Sequence, residues 1–135
     1  MPPTPKPPPD SEKITLNLGP VDLGRIDLLV AQGFYANRTD LIRTAIRARL
    51  DRHEDAVQAA CARDAFETGL RTLSRAELEA AAKAGTPLAV KVMGLVRIAD
   101  DVTPELARRA IASVEVMGAL HAPRAVREAI ADRIK

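Results

Sequence analysis

The segment Lys13-Ile14-Thr15-Leu16-Asn17-Leu18 restricts the fold more than any other stretch of the chain. Its strict polar/apolar alternation is that of a half-buried strand, with Ile14, Leu16 and Leu18 on one face and Lys13, Thr15 and Asn17 on the other. Gly19 ends the alternation, and Pro20 suits the first turn of a helix, where a missing N–H costs nothing. Helical patterns then follow, so a lone six-residue strand has no partner for its backbone donors and acceptors within the first 60 residues. The predicted solution is the same strand from a second copy of the chain. An antiparallel ribbon would bury Ile14, Leu16 and Leu18 over the four helices of two protomers, leaving Lys13, Thr15 and Asn17 of both chains in one outward row.

From Val21 to Gln32, Leu23, Ile26, Leu29 and Val30 recur at helical spacing, and Gly33 is a fitting stop. Asn37 is the expected cap of a second helix, with Asp40 at the capping-box position. Leu41, Ile42, Ala45, Ile46 and Leu50 form its apolar stripe. Without a Gly or Pro before Gly69, this helix is expected to continue to about Phe66. The first nine residues contain six prolines and are expected to form an extended tail.

Beyond Gly69 the pattern changes to strand and helix units. Val90 to Ile98 and Val114 to Ala122 read as strands, and V-K-V-M-G in the first returns as V-E-V-M-G in the second. Gly94 and Gly118 are 24 residues apart, within the ~20–29-residue periods of strand-helix solenoids. Pro104 after Thr103, and Pro123, each open a helix. A degenerate earlier unit is expected as Leu70 to Leu73 followed by a helix from Arg75 to Lys83, capped by Ser74-x-x-Glu77 and stopped at Gly85.

Composition narrows the chemistry. Of 135 residues, 47% are hydrophobic but only 2% aromatic, so single-strand recognition by base stacking has few platforms. The net charge of +2 decides nothing alone: residues 1–56 hold eight Lys/Arg and eight Asp/Glu. Placement carries more information, because Arg38, Arg43, Arg47 and Arg49 fall in one helix against the single acid Asp40. Arg43 and Arg47 are expected to face solvent, paired with Asp40 and Asp51. The lone Cys61, the absence of a charged-then-apolar leader and the lack of a long apolar run lead to an expected cytoplasmic, nucleoid-associated location.

The outward row has residue types that read a major groove. Asn can pair with adenine, Lys can donate to guanine, and the Thr methyl can touch thymine. At the start of the second helix, the N–H groups of Asn37, Arg38 and Thr39 point outward at the positive end of the helix dipole, a ready phosphate anchor. On these residues the stretch Lys13 to His53 resembles the ribbon-helix-helix (CopG, Arc, MetJ and NikR) superfamily, and Asn37-Arg38-Thr39-Asp40 is similar to the N-R-S-E signature at its second helix. The resemblance implies base contacts from Lys13, Thr15 and Asn17 and phosphate contacts from Asn37, Arg38 and Thr39. The nickel-responsive members carry His and Cys ligands in their C-terminal domain. Here only His53, Cys61 and His121 are present, and they are expected to be a surface His, a packed Cys and a rim residue. No metal or other cofactor is expected.

No Gly-rich phosphate loop, His–acid pair or activated nucleophile appears, so no enzyme is expected. The expected fold is α+β: an N-terminal ribbon-helix-helix unit, intertwined as a dimer, followed by a small α/β strand-helix repeat region. The expected divisions are a tail at 1–11, a DNA-binding domain at 12–56, a helical linker at 57–68 and a region for oligomerisation or sensing at 69–135. The expected function is that of a homodimeric, sequence-specific repressor of double-stranded DNA targets, with higher-order assembly through residues 69–135. The alternative is an antitoxin-like or scaffold protein whose C-terminal region binds a protein partner.

Overall fold

The computed structural model describes residues 11–135; apart from Ser11, the expected proline-rich tail lies outside the described residues. The fold is α+β, with two compact units, one ending at Ala60 and the other running from Cys61 to Lys135.

The first unit departs from expectation at its start: the expected strand Lys13–Leu18 is not formed in the single chain, where residues 11–19 belong to no helix or strand and no described strand pairs with them. Helix α1 (Pro20–Ala31) begins at proline, as the sequence requires, and ends through Gly33 at φ +84°. There the Phe34 N–H donates to the Leu29 carbonyl, which closes the last turn. Helix α2 (Arg38–Arg52) is capped by Asn37, whose side-chain oxygen accepts the Asp40 N–H at 2.8 Å. Asp40 reaches back to accept the Ala36 N–H at 2.9 Å, one residue before the cap itself. The two helices are locked by Arg38 at the first position of α2, which donates through Nε and Nη2 to both carboxylate oxygens of Asp27 in α1, each at 2.8 Å.

One expectation is corrected here. The second helix does not run unbroken to Phe66: it stops at Arg52, His53 has non-helical dihedrals, and a separate helix α3 (Glu54–Asp64) begins at once. Charge explains the position. Arg49 and Arg52 sit in the last turn of α2, while Glu54 and Asp55 open α3, so each set faces the helix end that its sign stabilises. Helix α3 ends with Ala65 at φ +58°, a left-handed position usually given to glycine, and the Phe66 N–H bonds back to Cys61.

The second unit follows the sequence pattern closely. Strand β1 (Glu67–Leu73), helix α4 (Arg75–Ala84), strand β2 (Leu88–Ile98), helix α5 (Pro104–Ala110), strand β3 (Ile111–His121) and helix α6 (Arg124–Ala129) succeed one another, and a short 3-10 turn covers Ala131–Arg133. Ser74 caps α4 by accepting the Glu77 N–H, Gly85 ends it at φ +70°, and Thr103 caps α5 through the Leu106 N–H. The strands form a parallel sheet in the order β1-β2-β3. Val90, Val92, Val96 and Ile98 alternate toward the helices and join Leu78, Ala81, Leu106, Ala107, Val126 and Ile130 in one core. Fully burying side chains such as Leu73, Leu78, Ile98 and Ile111 stabilises by roughly 1.5–3 kcal/mol each.

The two copies of the pentapeptide lie side by side in register, Val90 beside Val114 through Gly94 beside Gly118, and Gly69 of β1 continues the row. All three glycines have positive φ. A Cβ at Gly94 would stand 2.2 Å from the Gly69 carbonyl oxygen, and one at Gly118 would stand 2.1 Å from that of Gly94. Backbone meets backbone, so no other residue fits at these two positions.

Two expected outcomes follow from these contacts. Gly94→Ala should cost roughly 2–5 kcal/mol, strain and overlap together, whereas Gly69→Ala, with open space at its Cβ position, should cost about 1–3 kcal/mol from strain alone. Urea denaturation followed by far-UV circular dichroism measures both, and equal costs would show that the carbonyl contact is irrelevant. The Arg38 hydrogen bonds hold the Asp27 carboxyl below its ordinary value of 3.8 and raise Arg38 in turn. A depressed folded-state pKa contributes stability above the unfolded carboxylate value, which is lost as pH falls through the folded value. Acidification below about pH 4 should therefore loosen α1 from α2, and the loss should be smaller in Asp27→Asn; melting curves across a pH series report it.

Candidate nucleic-acid interface

Among the described residues, all the buried ones lie between Leu73 and Ile130, and neither α1 nor α2 contains any. The first unit is therefore an apolar surface without an interior. Ile14, Leu16 and Leu18 are 70%, 54% and 39% exposed, and Val21, Leu28, Leu29, Ile46 and Leu50 are exposed too. Residues 13–18 are all exposed, so the polar row Lys13, Thr15 and Asn17 faces solvent together with the apolar row. A strand needs a hydrogen-bonded neighbour, and among the described residues no strand pairs with Lys13–Leu18.

The second group of site residues is assembled at the N-terminus of α2. Asn37, Thr39, Asp40, Arg43, Thr44 and Arg47 line an open depression on the helix surface. With Asn37 and Asp40 engaged in reciprocal capping, the exposed amides of the first turn are ordered, and the positive end of the helix dipole lies beside them.

The charges around this depression differ from expectation in two respects. The guanidinium of Arg38 turns to Asp27, so its side chain braces α1 against α2 and only its backbone N–H remains at the helix start. Arg43 and Arg47 do not pair with Asp40 and Asp51: among the described residues they have no ion-pair partner, and Asp40 is committed to the Ala36 N–H. They are thus the cations that border the depression. Sequence reasoning set them aside, although the signal existed, since Asp40 at the capping-box position is not free to neutralise a neighbour.

The residues that raised the question of a metal are dispersed. His53 is exposed at the end of α2, Cys61 is half-buried in α3, and His121 is half-buried at the end of β3. Among the described residues no three of His, Cys, Asp and Glu come together, and no helix is long and apolar enough to cross a membrane.

Searches of curated proteins and of solved structures return no match. The sequence model of the Ribbon-Helix-Helix transcriptional regulator family matches residues 9–127, which takes in the alternating segment Lys13–Leu18, helices α1, α2 and α3, and nearly all of the strand-helix units that follow. An alternating segment followed by two braced helices, the second with a capped start, fits that match, and the chain belongs to the ribbon-helix-helix transcriptional regulator family.

Proposed function

We propose that the protein is a homodimeric, sequence-specific repressor that inserts an antiparallel ribbon, one Lys13–Leu18 strand from each protomer, into the major groove of double-stranded DNA. The observation that carries this reading is the first unit's lack of any buried residue. Two α-helices and a strand whose apolar side chains all remain accessible cannot offset the entropy of folding, whereas a second copy supplies the missing layer. Pairing the two strands satisfies their backbone and buries Ile14, Leu16 and Leu18. The alternation then presents Lys13, Thr15 and Asn17 from both chains to base edges.

Anchoring comes from the start of α2. The amides of Asn37, Arg38 and Thr39 would hold a phosphate oxygen at the helix N-terminus, with Arg43 and Arg47 adding positive charge beside it. One such anchor per protomer would fix the ribbon's orientation while its side chains read the sequence. The second unit, with its own core and three parallel strands, extends the contacts between copies rather than reading DNA.

Fluorescence anisotropy with the duplex upstream of the protein's own coding region, over a salt series, tests the reading. Tight binding should weaken as salt rises through counterion release, with slope near −0.9 per neutralised phosphate. Asn17→Ala should narrow the gap between preferred and unrelated duplexes by about 1–3 kcal/mol for each bidentate pair of hydrogen bonds it deletes. The double variant Arg43→Ala/Arg47→Ala should lower affinity for all duplexes alike and flatten the salt slope. Indifference of the parent protein to sequence, or a uniform loss in Asn17→Ala, would sink the assignment of base readout.

A further inference from the structure

The two edges of the parallel sheet are unequal. At β3 the chain covers its own edge: Ile134 bridges to Val114, the Lys135 N–H donates to the Val114 carbonyl, and the guanidiniums of Arg133 and Arg127 donate to the carbonyls of Ile111 and Leu120. At the opposite edge β1 pairs only with β2. The Gly69 carbonyl is directed at Gly94, and the Leu73 carbonyl accepts the Ala99 N–H beyond the end of β2. Alternation along the strand therefore turns the backbone groups of Thr68, Leu70 and Thr72 outward.

We propose that β1 is a second dimerisation edge, pairing antiparallel with β1 of another copy about a two-fold axis at Gly69 and joining two three-stranded sheets into one of six strands. This inference rests on the reading of residues 69–135 as an assembly region and names the surface that does it. A second copy is the fitting occupant for three reasons. With the β3 edge obstructed at Ile111, Val114 and Leu120, the β1 edge is the freer of the two; pairing through it is isologous and closes at two, whereas a head-to-tail array would need the edge that the C-terminal residues obstruct.

The register is also complementary in charge and shape. Centred on Gly69, Glu67 of each strand stands opposite Arg71 of the other, and Thr68 opposite Leu70. Arg71 already holds Glu77, but its guanidinium has donors left over. The outward groups of Thr68 and Leu70 then form the hydrogen-bonded pairs, and Gly69 meets its own copy in the closer non-hydrogen-bonded position. Nothing lies within 4 Å of the Cβ position at Gly69, so this glycine is spared for an approaching backbone as Gly94 and Gly118 are for theirs. Finally, a dimer formed by the N-terminal ribbon tethers two such edges in one particle, which raises their effective concentration.

The test uses the full chain and four proteins in light scattering: the parent, Leu16→Asp in the ribbon, Leu70→Lys in the edge, and both together. Leu70 is 56% exposed, so its substitution leaves the monomer fold intact. Leu16→Asp is expected to remain a dimer through β1, Leu70→Lys to remain a dimer through the ribbon, and the combination to be a monomer. A monomeric Leu16→Asp protein that keeps its sheet by circular dichroism would overturn the edge proposal. A monomeric Leu70→Lys protein would instead refute the ribbon and leave the edge standing. The register has its own readout in a Cys61→Ser background. Thr68→Cys and Leu70→Cys on one chain face each other across the axis at about 5.5 Å between Cα atoms, within disulfide reach. Either alone meets its copy only diagonally at about 7–8 Å. Covalent dimer should accumulate in the double variant well ahead of either single one, and equal rates would exclude this pairing.

Discussion

A polypeptide cannot satisfy one isolated strand with itself, and the first unit is organised around that constraint. Its helices and their apolar stripes are present, its alternating segment is not yet a strand, and every large hydrophobic side chain among them remains partly or wholly accessible. What the single chain does fix is the frame that receives a partner. The Asn37 cap, the Asp40 back-bond and the fork of Arg38 on Asp27 are short-range polar contacts that need no core. They tie α1 to α2 and order the α2 N-terminus within the single chain.

The second unit solves the opposite problem. Parallel strands need crossovers of a dozen or more residues, and each helix that provides one also covers the sheet, so this half owns a continuous core from Leu73 to Ile130. Stacking identical strand positions brings three main chains together at one level, and glycine at Gly94 and Gly118 is what that closeness demands. The pentapeptide repeat is therefore a consequence of register: residues that neighbour one another across the sheet experience the same surroundings and become the same residues.

Those features were legible in the sequence because they are local or periodic. The apolar runs and the repeated pentapeptide located β2 and β3, whereas alternation at Lys13–Leu18 marks a segment that forms no strand in the single chain; Ser74-x-x-Glu77, Thr103-Pro104 and Gly85 marked helix ends, since each acts through a hydrogen bond or dihedral within a few residues. The break at His53 escaped because helices usually stop at Gly or Pro, whereas here opposed charges at two helix ends set the boundary. Ala65 escaped for a similar reason, being a left-handed stop without glycine. Contacts between distant residues were illegible in principle: Asp27 with Arg38, and Arg133 and Lys135 with β3, depend on how elements meet and have no spacing signature. Of the candidate site, the residue types and their faces could be read, but not which cations were already occupied.

That last distinction explains why total charge says so little about this protein. In the second unit, Arg71, Arg75, Arg108, Arg124, Arg127 and Arg133 are each engaged by a carboxylate or a main-chain carbonyl, and so contribute to the fold what they withhold from a ligand. In α2, by contrast, Arg43, Arg47, Arg49 and Arg52 have no ion-pair partner among the described residues, and the first two lie on the surface beside the helix start. A phosphate responds to local potential within about 8–10 Å at ordinary salt, not to the sum over the chain. In the proposed anchor, Arg43 and Arg47 beside the first-turn amides would therefore set the local potential, although the whole molecule carries only +2. Asp27 pins Arg38 and Asp40 caps the helix, so neither acid neutralises Arg43 or Arg47, while Arg49 and Arg52 carry charge on another patch of the same helix.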